Sequence, residues 1–352
     1  MSKKTLPTDV WFFVGHSIGV TLLGIHTLEA AYFGLPADQR GRLFIVVNGD
    51  NRRLYDDLLT QYPHITLVTV SKKSLGTIAS IVWNGFGRRQ IVLHPLSFGS
   101  VNLIHAWMTR IITLLNPQSR SIIFGEHTWR NGFFFTTILK RNLEQSIFTS
   151  QEEAIQSTGI TPRAHTPQLL FAHGEPIVQL HQQSYILVHP FAASISRSLP
   201  PARWQELINW LRSTYPHYSV VISGGPADRA AALALIPKNH TEVYFSQDIC
   251  RSFLDSFSLS ARAALFVGVD TGPTHIAAHV GALTIVVGNN SNPCWLPYYN
   301  PTVTVLMNLS VCTCQGDKTG NCFEYEDGVK YYRCMYRIPQ EEIKEAISKK
   351  LS

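Results

Sequence analysis

Residues Leu265-Phe266-Val267-Gly268-Val269-Asp270-Thr271-Gly272-Pro273-Thr274-His275-Ile276-Ala277-Ala278, followed by Gly281-Ala282-Leu283-Thr284-Ile285-Val286-Val287-Gly288, read as strand, tight turn, helix and strand. Both apolar runs are short and unbroken, which suits strands buried on two faces rather than strands with one face in water. Pro273 sits where a helix starts, a position that tolerates a missing N–H. Strand, crossover helix and strand in this spacing make a parallel βαβ unit.

The same alternation extends in both directions. In the second half, strands are predicted at 185–189, 219–223, 243–245, 265–269 and 284–287, with helices at 201–214, 228–235, 253–261 and 274–280. In the first half, strands are predicted at 10–14, 43–48, 65–70, 90–93 and 121–124, with helices at 20–32, 54–62, 75–86 and 101–115. Between the series lies 158–183, rich in Pro, Gln, His and Thr and without a period. The expectation is an α/β protein of two Rossmann-like doubly wound domains facing across a cleft. Its parts are 1–165, a linker 166–184, a second domain 185–336 with a Cys-rich segment 312–334, and a final helix within 337–352. Ligands of such sheets bind at the carboxyl ends of the strands, so the loops after the strands are where chemistry belongs.

Composition fits this reading. The 352 residues are 45% hydrophobic and 15% charged, which excludes a disordered chain, and the glycines and prolines follow no fibrous repeat. The formal charge of +6 fits an anionic partner such as a nucleotide, a phosphorylated sugar or an acidic membrane face. Basic residues come singly or in isolated pairs, such as Arg52-Arg53 and Arg88-Arg89, without dense interleaving with aromatics, so no nucleic-acid partner is expected. Residues 11–28 lack Asp, Glu, Lys and Arg but carry His16, Ser17, Thr21, His26 and three glycines. They suit a strand, turn and helix better than a signal or membrane segment, and a cytoplasmic protein is expected.

Three loops carry the chemistry. After 265–269, a helix N-terminus offers free amides to a diphosphate, Thr271 and Thr274 offer hydroxyls, and Asp270 is suited to accept from sugar hydroxyls. The plain alternative is an Asp-Thr helix cap with His275 in the core behind it. After 185–189, a small-residue loop with Ser194 and Ser196 holds Arg197, whose guanidinium suits a phosphate or simply solvent. Trp204, Leu207, Ile208 and Leu211 follow the helical period, so Trp204 belongs to the core. After 219–223, Gly224-Gly225-Pro226 permits close backbone approach to a ligand or simply makes a turn.

Together these stretches resemble glycosyltransferase family 9, the heptosyltransferase-like enzymes of lipopolysaccharide core assembly, which have the GT-B fold. The resemblance rests on Asp270-Thr271-Gly272-Pro273-Thr274-His275 with the following alanines and Gly281, on Gly224-Gly225-Pro226, on Arg197 ahead of Pro200 and Trp204, and on Pro293, Trp295, Pro297 and Tyr298. It covers residues 185 to 340 by motif and the first half by architecture.

It implies inverting transfer of a heptose or similar sugar from a nucleotide-diphosphate donor, ADP-linked in the favoured case, to a hydroxyl of a lipid-linked or other glycan. Ser194, Ser196, Arg197, Gly224, Gly225, Asp270, Thr271, Gly272, Thr274 and His275 are the implied donor-binding set. Arg197 stands where the family usually has lysine, and no catalytic metal is required. Peripheral contact with an anionic membrane at its inner face is a further expectation.

The family's general base is an aspartate in the first strand-to-helix loop. Here that loop reads Val14-Gly15-His16-Ser17-Ile18-Gly19-Val20-Thr21, with Val20 at the carboxylate position. His16 is the candidate base, since an imidazole titrates near neutral pH. Asp50, His94, Glu126 and His127 are other strand-tip candidates. The missing carboxylate also keeps open a non-catalytic nucleotide-sugar binder, or a nucleotide-sugar epimerase or hydrolase on the same fold.

Cys312, Cys314, Cys322 and Cys334 form the last constellation. The spacing is not that of a standard zinc finger and is open to a structural zinc or iron, to reduced thiols in a small core, or to disulfides. The resemblance adds that some protein O-heptosyltransferases hold a structural iron with four cysteines.

Overall fold

The computed structural model describes residues 6–14, 18–48, 56, 59, 62–70, 83, 87–94, 103–114, 116–124, 128–140, 142, 145–163, 180, 184–237, 242–250, 253–289, 293–297, 300–311 and 322–352. The chain divides into two compact units, Met1–Gln168 and Leu169–Ser352.

In the first unit, β1 (Thr8–Phe13), β2 (Arg40–Asn48), β3 (Ile65–Val70), β4 (Arg89–Leu93), β5 (Arg120–Phe124) and β6 (Thr137–Leu139) form one sheet, all parallel, in the order β3-β2-β1-β4-β5-β6. In the second, β7 (Tyr185–His189), β8 (Ser219–Ile222), β9 (Val243–Phe245), β10 (Leu265–Val269), β11 (Thr284–Val287) and β12 (Val303–Leu306) form another, again all parallel, in the order β12-β11-β10-β7-β8-β9. Counted within its own unit, each sheet has the dinucleotide-binding strand order, which reverses between its first and fourth strands. Those reversal points are β1/β4 and β7/β10. This is the GT-B pair of Rossmann-like domains.

Central strands are buried on both faces. On β1, Trp11 and Phe13 pack with Met108 and Ile112 of the helix Leu103–Leu114. Phe12 points the other way, against Gly24 of the helix Ile18–Gly34, where a Cβ would stand 2.6 Å from the ring. In the second unit Trp204, Leu207, Ile208 and Leu211 line one side of the helix Pro201–Thr214 and join Ile186, Val188, Val220, Val267 and Ile285 in one core. Ile343 and Ile347 place the final helix Gln340–Leu351 in that same core. Arg203 fixes the segment leading into that helix, donating to the carbonyls of Tyr336 (2.7 Å) and Ile338 (2.5 Å).

Ten predicted strands are present within a few residues of their expected bounds. The sequence did not indicate β6 or β12, the helices Trp129–Phe134 and Ile147–Gln156, or the antiparallel hairpin β13 (Phe323–Glu326) and β14 (Val329–Tyr332). The helix expected to begin at Thr274 starts at Gly272 and ends at His279. Those expected at 54–62 and 75–86 lie largely outside the described residues, within which Asp56, Leu59 and Trp83 are helical. The expected linker 166–184 is described only at Leu180 and Ser184. Among the described residues no helix is long and apolar enough to cross a membrane.

Candidate functional site

The β7/β10 reversal brings two of the three candidate loops side by side. Gly268 of β10 pairs with His189 of β7, and a Cβ on Gly268 would stand 2.7 Å from the Phe266 ring and 3.1 Å from the His189 Cβ. One residue beyond β10, Asp270 is nearly buried at 7% exposure. From the loop after β7, the Arg197 guanidinium donates to the main-chain carbonyl of Asp270 and lies 3.8 Å from its carboxylate Oδ2. On the other side, His275 Nε2 is 3.6 Å from Asp270 Oδ1. The helix after Asp270 begins its bonding with the His275 N–H on the Thr271 carbonyl, 3.2 Å away. The Gly272 and Thr274 amides precede that bond and, as at any helix start, have no helical acceptor. An arginine, two such amides and a held carboxylate can receive an anion beside a polyhydroxylated group.

Several expectations change. Thr274, expected to offer its hydroxyl to a ligand, is fully buried and donates it to the Val269 carbonyl, which ties helix to strand. Thr271, half-buried, donates to the same carbonyl at 3.3 Å. Gly224 and Gly225, read as permitting close backbone approach to a ligand or simply making a turn, use their amides internally. Gly224 N–H donates to Ser246 Oγ (3.2 Å) and Gly225 N–H to Asp228 Oδ2 (2.8 Å). A Cβ on Gly224 would crowd the Phe191 ring at 3.0 Å, so this glycine serves turn packing. Ser194 and Ser196 bond each other at 2.7 Å, and the Arg197 N–H closes the turn on the Ser194 carbonyl at 2.9 Å. Trp204 is core, its indole N–H donating to Ser198 Oγ at 3.1 Å.

Two strand-tip histidines are neutral and held. His189, beneath the site, has Nδ1 2.9 Å from the Ser223 carbonyl. A carbonyl only accepts, so Nδ1 carries the proton, and burial pushes the imidazole down to about 4. The sequence did not single out this residue, although its place at the end of a predicted strand was a signal. His94, at the end of β4, stacks on Phe13 with its Nε2 2.8 Å from Thr109 Oγ1. That hydroxyl gives its one hydrogen to the His105 carbonyl, so His94 donates from Nε2. Burial pushes His94 down to about 3, which makes it a poor proton acceptor near neutrality. His16, Asp50, Glu126 and His127 lie outside the described residues.

Cys312 and Cys314 also lie outside them. Cys322 and Cys334 are fully buried, without a disulfide, at the open end of the β13/β14 hairpin, where the Arg333 N–H donates to the Cys322 carbonyl at 3.0 Å. Two buried thiols at one end of a hairpin are donors of a kind that can hold zinc or iron. Among the described residues alone, no three His, Cys, Asp or Glu side chains converge for a metal. The hairpin also reaches the first site, since β14 packs against the Ile195–Arg197 turn.

Comparison with known proteins adds the following. The family model described as glycosyltransferase family 9 (heptosyltransferase) matches residues 140–324, which is more than half of the chain. The crystal structure of the glycosyl transferase family 9 protein from Veillonella parvula superposes with a TM-score of 0.72 at 16% identity, covering 100% of this chain and 98% of that one. The E. coli ADP-heptose LPS heptosyltransferase II superposes with a TM-score of 0.67 at 14% identity, covering 97% and 98%. The dodecameric iron-containing heptosyltransferase TibC of E. coli, in complex with ADP-D-beta-D-heptose, superposes with a TM-score of 0.58 at 15% identity, covering 99% and 77%. At such identities the likeness is one of fold. Comparison with curated protein sequences gives no match.

Proposed function

The chain belongs to glycosyltransferase family 9, and on that premise we propose that it moves a heptose or similar sugar from a nucleotide-diphosphate donor to a glycan hydroxyl, with inversion. The observation that carries the reading is the contact of Arg197 with Asp270 at the β7/β10 reversal, beside the start of the helix Gly272–His279. The ADP-heptose named for similar proteins makes an ADP-linked donor the first to test. A lipopolysaccharide-type glycan is the corresponding acceptor.

In this mechanism the acceptor hydroxyl gives its proton to a general base, to which His16 is assigned. Its oxygen bonds the anomeric carbon on the face opposite the leaving group. The bond from that carbon to the diphosphate oxygen breaks, and its electron pair leaves with the nucleoside diphosphate. One displacement through an oxocarbenium-like state inverts the centre. Arg197 and the Gly272 and Thr274 amides meet the charge growing on the diphosphate, so protein groups rather than a catalytic metal supply that stabilisation. Asp270, its charge countered by Arg197, accepts from sugar hydroxyls. The four cysteines hold a structural iron or zinc away from the reaction. Metal analysis is expected to find one ion per chain, lost in Cys322→Ser, and a metal-free folded protein would refute that part.

The test is release of nucleoside diphosphate from ADP-, GDP- and UDP-linked heptoses and hexoses, with and without a heptose-deficient lipopolysaccharide acceptor. Acceptor-dependent release from one donor supports the proposal. Release without acceptor identifies a hydrolase, and binding without any release identifies a non-catalytic binder.

A further inference from the structure

The first unit has an apolar surface that its own core does not use. The helix Leu103–Leu114 buries Ala106, Met108, Thr109 and Ile112 on one side. Its opposite side carries Leu103, Trp107, Ile111 and Leu114, spaced four, four and three apart and all exposed. That spacing keeps the four on one stripe. The stripe continues onto the helix Trp129–Phe134, because the Trp107 ring meets Phe133 edge-on at 5.8 Å. Trp129 on that helix is 86% exposed and Leu114 is 65% exposed, values that folding of the unit does not require. Contiguous exposed apolar surface on a soluble domain marks a place where something docks.

Charge indicates what docks. Up to the division at Gln168 the sequence has sixteen Lys or Arg against ten Asp or Glu, and beyond it fourteen of each, so the whole +6 belongs to the first unit. Between residues 58 and 143 there is one acidic residue, Glu126, against nine Lys or Arg. Neither of the two helices has an acidic residue, and the Arg110 guanidinium lies over the Phe133 ring at 5.3 Å, at the border of the stripe. A second copy of this chain would set positive surface against positive surface. An anionic bilayer offers the complement to both features, since tryptophan and phenylalanine seat at the headgroup level and arginine and lysine meet lipid phosphates.

We infer that the face formed by Leu103, Trp107, Ile111, Leu114, Trp129 and Phe133 is a docking surface for an anionic phospholipid bilayer, on which the protein lies without crossing it. The inference goes beyond the transfer reaction and does not depend on it.

The experiment is sedimentation of the full chain with phosphatidylcholine vesicles, with and without phosphatidylglycerol, at low and high salt. The expected result is binding to the phosphatidylglycerol vesicles only, weakened by salt as screening shortens the reach of the basic residues. A Leu114→Ser/Trp129→Ser variant, checked for folding by circular dichroism, is expected to bind on the order of tenfold more weakly. Both side chains are largely in water, so the fold survives their loss. Wild-type protein left in the supernatant with phosphatidylglycerol vesicles overturns the inference, as does a variant that sediments like wild type. A wild-type dimer in sedimentation velocity that this variant dissociates also overturns it and assigns the face to a second copy. Transfer to a water-soluble acceptor is expected to be unchanged in the variant, which separates loss of docking from failure of the proposed reaction.

Discussion

Arg197 holds Asp270 by its main chain: the guanidinium donates to the Asp270 carbonyl while the carboxylate of the same residue stays 3.8 Å away. One guanidinium with five N–H groups can keep this bond and still offer donors to a phosphate, which an ammonium cannot do in the same geometry. The arginine therefore shapes the loop after β10 and supplies positive charge to it.

Arg197→Ala is accordingly expected to reduce kcat/KM by about 2–4 kcal/mol of transition-state stabilisation and to abolish the thermal shift given by the preferred nucleoside diphosphate. Arg197→Lys keeps the charge and loses the fork, so its kcat is expected between those of wild type and Arg197→Ala. Steady-state kinetics with nucleotide-binding melts check both. Unchanged turnover in Arg197→Ala would remove the residue from the mechanism.

Thr271 and Thr274 both donate to the Val269 carbonyl, but Thr274 is fully buried and Thr271 is not. Thr274→Val removes a buried hydrogen bond and is expected to cost about 1–2 kcal/mol of folding stability. Its nucleotide affinity should change little once the protein is folded. The Thr271 hydroxyl, half-exposed and on a longer bond of 3.3 Å, is free to turn to a ligand, so Thr271→Ala should show the reverse pattern, weaker donor binding with near-normal melting. Paired melting and isothermal titration separate the two, and equal loss of affinity in both variants would contradict the division of roles.

Burial holds His94 down to about 3 and His189 down to about 4. Both stay neutral in the fold while the unfolded chain takes up protons near pH 6.5, so the unfolded state binds more protons below that value. The contribution of these two histidines is then flat above about pH 7, and it lowers stability as pH drops from 6.5 towards 4, with a slope approaching about 1.4 kcal/mol per pH unit for each. His189→Asn keeps a donor for the Ser223 carbonyl and removes the titrating group. Urea melts across this range should show a shallower slope for that variant, and an identical slope would assign the acid sensitivity elsewhere.

The legible part of the molecule is what is buried on two sides. β7, β10 and β11 are fully buried runs that end in loops carrying Pro, Gly or Asn, and their predicted bounds match the structure. β6 and β12 escaped because each is the sixth strand at a sheet edge, short and half-exposed, where burial no longer imposes a pattern. Trp129–Phe134 escaped because its six residues are too short for a helical period and hold Asn131 and Gly132, both poor helix formers. At the site, Arg197 and Asp270 were readable from loop position and His275 from the family resemblance, and the structure brings the three together. The capture of the Gly224 and Gly225 amides was not readable, since it depends on Ser246 from the end of β9 and on Asp228 closing back on its own loop. The hairpin had a strong local signal in Asp327-Gly328, both at positive φ, but it lies within the stretch bounded by the four cysteines.

That hairpin gives the last prediction. β14 packs against the Ile195–Arg197 turn, and the hairpin's open end is closed by the buried Cys322 and Cys334. Neither thiol belongs to the Arg197–Asp270 pair, yet whatever fixes the hairpin end also fixes the strand against which the Arg197 turn rests. Cys322→Ser/Cys334→Ser places two hydroxyls in a dry site built for thiols and loosens that end. The expected outcome is weaker nucleotide binding with a smaller effect on kcat for bound donor, because the arginine is less well positioned while the chemistry is intact. With the proposed ion bound by the cysteines, a chelator should produce the same KM-weighted loss in wild type and no further loss in the double variant. Titration of nucleoside diphosphate into both proteins checks this. Full affinity in a folded double variant would show that the turn holds Arg197 without help from the hairpin.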